Sequence, residues 1–270
     1  MTTLALFYLG NYNQAVAEAQ QTGDDAILHR SRLALGQVDL VLSDLSKSKD
    51  DDSRVLSAYA RYLKSKDFQS SLDSISEVYT PLSLIVQSSI YIAEQNYDQS
   101  YSLLATTPHP ECRFLLVHTL VAMKRDDVAH SIAQQMKSEH PDNILSLLAR
   151  AYVAAAQENH QELSDLILDI CDVYTVTSSM GLIDSPVLAQ FMVLSLLLQG
   201  NTSKANEMIH LSQRKWPNNN SILWNAGTVA FHDGDVMKGI EERRRVSAVD
   251  GQCRLEVEEI ASRVENVLSQ

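Results

Sequence analysis

The sequence has 270 residues, 45% of them hydrophobic and 21% charged, and a formal net charge of −12. This composition is that of an ordinary globular protein. The chain has only 9 Gly and 6 Pro, and such low numbers disfavour a sheet-rich fold with many tight turns. An acidic chain repels phosphate backbones, so nucleic acid is not expected as a partner.

A short pattern recurs along the chain: a helix-like run, a polar turn, an aromatic or apolar residue and, three positions later, a small residue. Consecutive occurrences are spaced by 29 residues in the middle of the chain and by 34 near its end, the latter being the tetratricopeptide period. A small residue is expected where two helices of a hairpin cross closely. The small residues are Ala15, Ser71, Ser100, Ala129, Ala205 and Gly239.

Proline and glycine supply further markers in the same register. Pro141 and Pro217 each lie 12 residues after one of the small residues, where a tetratricopeptide repeat closes. Gly227 falls on the glycine position of a first helix. The sequence therefore predicts an all-α, tetratricopeptide-like α-solenoid of about seven to eight helical hairpins with a C-terminal capping helix.

The predicted hairpins cover residues 1–23, 24–51, 52–80, 81–109, 110–143, 144–185, 186–219 and 220–253. The capping helix is predicted over 254–268, and the whole chain, 1–270, as one continuous domain. The sixth hairpin is too long, and its extra length is expected around 175–186, which is rich in turn-forming residues. Residues 49–52 are predicted to form a loop and a helix N-cap.

The first helix of each pair lines the hollow of such a solenoid. Counting along the repeats predicts a mostly apolar hollow, which suits a permanent protein partner and lacks the Lys, Arg and Asn of a carboxylate clamp. The alternative is that these side chains pack between helices and meet no partner. The predicted partner-binding residues are Leu56, Ile85, Phe114, Leu148, Tyr152, Leu194, Trp224 and Phe231, with Ala60, Ser89, His118, Gln190 and Thr228 on the same face.

Motifs for chemistry are not found. The eight His residues form no HExxH or Cys/His metal spacing, and no Gly-rich phosphate loop or GxSxG elbow occurs. We therefore predict no catalytic residue, no metal, no cofactor and no enzymatic activity. His109 and Cys112 are interpreted as part of a helix-boundary loop. The adjacent carboxylates, such as Asp24 with Asp25 and Asp126 with Asp127, are interpreted as turn and capping residues.

The basic run, the cysteines and the apolar runs indicate the surroundings in which the protein works. The basic run 243–245 follows two Glu residues and is interpreted as a solvated helix face with local ion pairs. The widely separated Cys112, Cys171 and Cys253, and the lack of a signal-peptide pattern, predict reduced thiols in the cytoplasm. No apolar run reaches the roughly 18 residues of a membrane span, so no membrane-spanning segment is predicted.

Three segments resemble the coatomer epsilon subunit family. They are FYLGNYNQAVAEAQ (7–20), SIYIAEQNYDQSYSLL (89–104) and LVAMKRDDVAHSIAQQMKSEHPD (120–142). The resemblance implies a non-catalytic structural subunit of the coatomer vesicle coat. It would hold the C-terminal domain of the alpha subunit, and act in Golgi-to-ER and intra-Golgi transport. Its place would be cytoplasmic, peripheral on Golgi membranes and transport vesicles.

Three function classes make different predictions. A structural coat subunit forms a stable stoichiometric complex. Without its partner it is expected to be less stable and to aggregate, because its apolar hollow is exposed to water. A free tetratricopeptide adaptor has a mostly polar hollow and captures short peptide motifs reversibly. An enzyme, or its regulatory half, would show turnover that depends on a polar residue.

Overall fold

The structure, a computed structural model, describes residues 2–48, 50–174, 176, 178–179 and 182–247. Its contacts divide the chain into two compact units, Met1–Gln157 (unit 1) and Glu158–Gln270 (unit 2). The prediction of one continuous domain over 1–270 stays a prediction. The predicted capping helix at 254–268 and Cys253 lie outside the described residues.

Unit 1 is helical throughout its regular elements. The first five predicted hairpins each correspond to two observed helices, and the first helix of the sixth hairpin completes the unit. The helices are α1 Thr3–Tyr8, α2 Tyr12–Thr22, α3 Asp25–Ala34, α4 Val38–Leu45, α5 Asp51–Ser65, α6 Phe68–Asp73, α7 Pro81–Ala93, α8 Tyr97–Leu104, α9 Pro110–Ala122, α10 Asp126–Glu139 and α11 Ile144–Ala156.

Unit 2 continues the pattern with one interruption. Its described elements are α12 His160–Tyr174, β1 Ser178–Ser179, β2 Leu182–Ile183, α13 Pro186–Leu198, α14 Thr202–Lys215, α15 Asn220–His232 and α16 Val236–Ser247. The extra length of the sixth hairpin lies between α12 and α13, as predicted. There β1 pairs with β2 in antiparallel fashion, Ser178 opposite Ile183, which was not predicted.

Side chains of the predicted cap residues begin several of these helices. Asp24 accepts a hydrogen bond from the backbone N–H of Ile27 at 3.1 Å, and Asp50 accepts one from Ser53 at 2.8 Å. Such bonds satisfy N–H groups that have no partner inside the helix. Asp126 instead occupies the first turn of α10, where a carboxylate is favoured by the helix dipole.

The first helices of the pairs pack in a row. In unit 1, α1 contacts α3, α3 contacts α5, and the series continues through α7 and α9 to α11; in unit 2, α13 contacts α15. Most second helices contact the first helices on either side of them. This is the packing of tetratricopeptide repeats, so the predicted all-α repeat fold is confirmed. In unit 1, α1 also contacts α11, which returns the row to its beginning.

The small marker residues lie where the helices cross. All six are buried. The hydroxyl of Ser100 on α8 lies 3.0 Å from that of Thr119 on α9, and a Cβ atom added to Gly239 would lie 2.6 Å from the Phe231 ring. Real Cβ contacts are essentially never that close, so the predicted close crossings are confirmed at Ser100 and Gly239. Pro141 and Pro217 follow α10 and α14 by two residues, as predicted.

Candidate partner-binding hollow

Unit 1 encloses a partly open cavity of about 300 Å³, which we call the unit-1 hollow. Its walls come from α1, α3, α5, α7 and α9, the first helices of five pairs, and from Tyr12 at the start of α2. Most of the lining is apolar or aromatic. The lining residues are Phe7, Tyr8, Tyr12, Arg30, Leu33, Ala34, Tyr59, Leu63, Ile85, Val86, Ser89 and Leu115.

An aromatic ladder adjoins the hollow and links α1 to α9 and α11. The Phe7 ring meets Tyr8 at 5.2 Å between centroids, and Tyr8 meets Phe114 at 5.2 Å. Phe114 meets Tyr152 at 5.8 Å, and Tyr152 meets His118 at 5.5 Å. All four contacts are edge-to-face, an arrangement that contributes about 0.5–1.5 kcal/mol per pair beyond burial. The ladder therefore fixes one wall of the hollow.

A polar cluster forms part of this wall. The Tyr8 hydroxyl donates a hydrogen bond to Glu111 at 2.6 Å, and Arg30 donates to the Tyr8 oxygen at 3.2 Å. Arg30 also pairs with Glu111 at 2.8 Å, with side chains only 9% and 13% exposed. The Arg30 guanidinium lies 4.6 Å from the centre of the Phe7 ring. The charge of Arg30 is therefore compensated before any partner arrives.

The protonation states of this cluster follow from its burial. Burial above all raises the pKa of Tyr8, so the phenol keeps its proton. Burial alone would lower the pKa of Arg30, but the contacts with Tyr8 and Glu111 outweigh it and the net pKa is raised. The cluster is thus a neutral phenol beside a closed ion pair.

Two tyrosine hydroxyls are available inside the hollow. Burial raises the pKa of both Tyr12 and Tyr59, with smaller effects of charged neighbours such as Arg30. Neither hydroxyl forms a hydrogen bond with another described residue. Both side chains are half-buried, so these two hydroxyls are polar groups that an occupant of the hollow could bind.

In unit 1, some of the partner-binding residues predicted from the repeat register lie at the hollow, and others are buried between helices. Ile85 and Ser89 line the hollow, and Phe114, His118 and Tyr152 form most of the aromatic ladder. Leu56, 2% exposed, Leu148, 1% exposed, and Ala60 are buried between helices. At these three positions the structure follows the alternative that such side chains pack inside the fold.

Other lining residues were missed. Tyr8, Tyr12, Arg30, Tyr59 and Glu111 were not predicted to contribute. Tyr59 lies one position before Ala60 on α5, so a rotation of the helix by about 100° exchanges them. The two N-terminal tyrosines lie in the aromatic turn FYLGNY, which is the signal that could have indicated them.

Unit 2 places its predicted residues in a separate group. Trp224, Thr228 and Phe231 lie on one face of α15 and are half-buried, and Leu194 and Gln190 on α13 are also half-buried. The Arg243 guanidinium lies 4.1 Å from the centre of the Trp224 ring and 4.8 Å from that of Phe231. Arg243 also donates to the Thr228 hydroxyl at 3.3 Å.

The basic run was therefore interpreted incorrectly at one of its three positions. Arg243 packs on the aromatic face of α15 instead of facing solvent, because a Cβ atom at Gly227 would lie 2.7 Å from its Cγ and glycine leaves that space open. Arg245 follows the prediction and pairs with Glu242 at 2.8 Å.

Among the described residues, no group of three or more His, Cys, Asp or Glu is placed to hold a metal ion. His109 is the N-cap residue of α9, and Cys112 is buried, with its pKa raised by burial to about 11, which makes the thiol a poor nucleophile. None of the described helices is long and apolar enough to span a membrane.

Comparison with known proteins identifies related sequences. The sequence profile of the coatomer epsilon subunit family matches residues 4–245. Coatomer subunit epsilon-1 of Oryza sativa subsp. japonica is 26% identical over 189 residues, 64% of this chain and 66% of the relative. Coatomer subunit epsilon of Dictyostelium discoideum is 27% identical over 173 residues, 54% and 57% of the two chains. The chain thus matches less than two thirds of the length of these relatives.

Solved structures agree on the fold. A tetratricopeptide repeat protein from Parabacteroides merdae ATCC 43184 superposes with a TM-score of 0.62 at 9% identity, covering 93% of this chain and 96% of the other. A thermophilic TPR protein of Thermus thermophilus gives a TM-score of 0.54 at 12% identity, covering 66% and 97%. These likenesses show the tetratricopeptide fold, and the family profile covers nearly all of the described residues. The chain belongs to the coatomer epsilon subunit family.

Proposed function

We propose that this protein is a non-catalytic structural subunit of the coatomer vesicle coat that holds the C-terminal domain of the alpha subunit. It acts in Golgi-to-ER and intra-Golgi transport, in the cytoplasm, and reaches Golgi membranes only through the coat. The observation that carries the proposal is the apolar unit-1 hollow, whose charge is already compensated by the ion pair of Arg30 with Glu111.

The chemistry of the hollow favours an uncharged, apolar guest. Arg30 is the only Lys or Arg among the lining residues, and its charge is paired with Glu111 while a second nitrogen donates to Tyr8. A carboxylate entering the hollow would find no free cation among these residues and would lose its hydration, which costs several kcal/mol per buried ion. The apolar side chains of a large protein partner avoid this cost and gain about 25 cal/mol per Å² of buried apolar area.

The unit-1 hollow has a volume of about 300 Å³ and is partly open. We propose that it receives an extended segment or a few large side chains of the partner. We propose that Tyr12, Tyr59, Ile85, Phe114 and Tyr152 contact this segment.

The other residues predicted from the sequence have proposed roles that fit their burial. Leu56 and Leu148 support the lining from behind, since both are buried. Leu194, Trp224 and Phe231 form a second contact surface in unit 2, where they are half-buried.

A pair of matched serine substitutions tests the proposal. Ser89 lines the hollow on α7 and donates to the carbonyl four residues earlier at 2.7 Å. Ser102 is exposed on α8 and makes the same bond at 2.9 Å. Ser89→Arg introduces a bulky charge into the hollow, whereas Ser102→Arg places it in water. Each variant is purified through a tag, and the stoichiometry of the alpha subunit that accompanies it is measured.

The expected result is a one-to-one complex for the unsubstituted chain and for Ser102→Arg, and loss of the alpha subunit for Ser89→Arg. Helical circular dichroism of the Ser89→Arg chain must be retained, which separates lost binding from lost folding. Equal recovery of the alpha subunit with both variants would show that the hollow is not the binding site.

The free adaptor is the alternative that the hydroxyls of Tyr12 and Tyr59 favour, because they could bind the backbone of a short peptide. It is indicated if only substoichiometric ligands accompany the tagged chain and a short linear peptide binds saturably. The absence of enzymatic activity stays a prediction, and turnover that disappears on changing one polar residue would contradict it.

A further inference from the structure

The two ends of the row of first helices in unit 1 contact each other at a seam. We use this word for the contact of α1 and α3 on one side with α9 and α11 on the other. It consists of Tyr8 against Phe114 and Glu111, Arg30 against Glu111, and the approach of α1 to α11. Tyr8 and Glu111 are 103 positions apart in the sequence.

The seam differs from the other contacts between first helices. Consecutive first helices are tied together by the second helix and the short loops between them, whereas α1 and α9 are tied only by the whole intervening chain. The centre of the seam is an ion pair, which gains little net free energy on burial because both ions lose their hydration. If the seam opens, Arg30 and Glu111 regain water, so opening there costs less than separating an equally large apolar contact.

The seam also forms part of the hollow. Phe7, Tyr8 and Arg30 line the cavity from the α1 and α3 side, and Leu115 lines it from α9. Separation of the two sides therefore widens the hollow itself. The cavity of about 300 Å³ is only partly open, so a bulky segment of a folded partner enters it more easily when the two sides of the seam are apart.

We infer that unit 1 opens at this seam to admit the partner segment and closes around it afterwards, so that the cluster of Tyr8, Arg30 and Glu111 acts as a clasp. This inference rests on the proposed function, because the guest is the partner's C-terminal domain. Closure behind the guest slows its release, as expected for a permanent coat complex, since affinity differences lie mostly in the dissociation rate.

Chemical cross-linking across the seam tests the clasp. In a full-length chain whose native cysteines are replaced by serine, Tyr8→Cys and Glu111→Cys are joined by a short bis-maleimide, and Arg30→Met removes the charge that would otherwise stay buried without its partner. The control joins Thr3→Cys to Asp24→Cys, whose native side chains are 2.9 Å apart and lie on the same side of the seam. The association rate with the alpha subunit's C-terminal domain is measured before and after cross-linking of each chain.

The expected result is a fall of the association rate by about tenfold or more on cross-linking positions 8 and 111, and no change in the control. Unchanged association after the cross-link would overturn the clasp while leaving the proposed function intact. Failure of the unsubstituted chain to bind the domain would overturn the proposed function instead. A complex formed first and cross-linked afterwards should release the domain at least about tenfold more slowly than the uncross-linked complex, and equal release would also count against the clasp.

Discussion

The Phe231 ring occupies the space that a methyl group on Gly239 would need: a Cβ atom built on Gly239 would lie 2.6 Å from the ring. The two residues belong to α15 and α16, the last described pair of helices. Glycine at this position therefore lets the two helices approach each other, and Phe231 fills the gap that the missing side chain leaves. The same crossing brings Arg243 over Trp224.

Gly239→Ala should destabilise the protein, although alanine is the better helix former. In an exposed helix this change stabilises by up to about 1 kcal/mol. Here the methyl group overlaps the Phe231 ring, and we expect a net loss of about 1–3 kcal/mol in the free energy of unfolding. Urea denaturation measures the change, with Glu241→Ala on the exposed face of α16 as the control. A more stable Gly239→Ala protein would show that the helices can separate without cost.

Removing one partner of the buried ion pair should be costly. Glu111→Gln leaves Arg30 charged and buried without its counter-ion, and we expect a loss of about 3–5 kcal/mol in the free energy of unfolding. Replacing both charges, with Arg30→Met and Glu111→Leu, should restore most of this loss, because no isolated charge remains.

An exposed ion pair provides the comparison. Lys64 pairs with Asp39 at 2.7 Å, with side chains 60% and 83% exposed. Asp39→Asn should change the free energy of unfolding by less than about 1 kcal/mol. If Glu111→Gln is as mild as Asp39→Asn in chemical denaturation, the ion pair of the seam is solvated in solution.

Arg243→Ala should weaken unit 2 through lost contact with two aromatic rings. Cation–π contacts of this kind contribute about 0.5–2 kcal/mol, and the side chain also covers Trp224. Arg244→Ala, at an exposed position on the same helix, serves as the control. Tryptophan fluorescence should shift to longer wavelength only in Arg243→Ala; an unchanged spectrum would mean that Arg243 does not cover the indole.

The stability should fall below neutral pH because of His118. Burial lowers the pKa of His118 in the folded chain, so the unfolded chain, with a pKa near 6.5, binds the proton more readily. The contribution to stability is therefore complete above about pH 6.5 and is lost as the pH falls further, by up to about 1.4 kcal/mol per pH unit. Burial also lowers the pKa of His29, which adds to the effect.

His118→Asn should remove the part of this slope that His118 causes. Denaturation curves of both proteins at pH 8 and at pH 5.5 measure it. The free-energy difference between wild type and variant should be smaller at pH 5.5 than at pH 8. A constant difference would mean that His118 does not titrate differently in the folded and unfolded chains.

The tyrosine hydroxyls in the hollow should matter for binding and not for folding. Tyr12→Phe and Tyr59→Phe remove groups without hydrogen bonds among the described residues, so the free energy of unfolding should change by less than about 0.5 kcal/mol. If the partner's backbone pairs with them, each change should weaken binding by about 2–10-fold. Calorimetric titration measures the affinity, and an unchanged Kd in both variants would show that the guest does not use these hydroxyls.

The positions of the helices could be predicted from the sequence because their signals are local. The proline after a helix, the small residue at a crossing and the Asp or Ser cap act within a few residues of the boundary that they mark. Pro141 follows the end of α10, Ser100 lies at the crossing of α8 and α9, and Asp50 is the N-cap of α5. The helical pairs accordingly follow the predicted ranges.

The lining of the hollow could be predicted only in part, because it depends on the rotation of each helix about its axis. A turn of about 100° separates neighbouring residues, which is why Tyr59 faces the hollow and its neighbour Ala60 is buried between helices. The contacts of Tyr8 and Arg30 with Glu111 join distant parts of the chain, and no local pattern indicates them. The two-residue strands are too short to leave an alternating pattern.

The return of α1 to α9 and α11 has a consequence for how the protein is made. In an open array of repeats, each hairpin meets only its neighbours and can fold as soon as it is synthesised. Here Tyr8 can form its contacts with Glu111 and Phe114 only after more than a hundred further residues have been synthesised. Contacts between such distant residues slow folding. Although α1 is synthesised well before α9, it is therefore among the last parts of unit 1 to reach its final contacts, and its aromatic residues stay exposed until then.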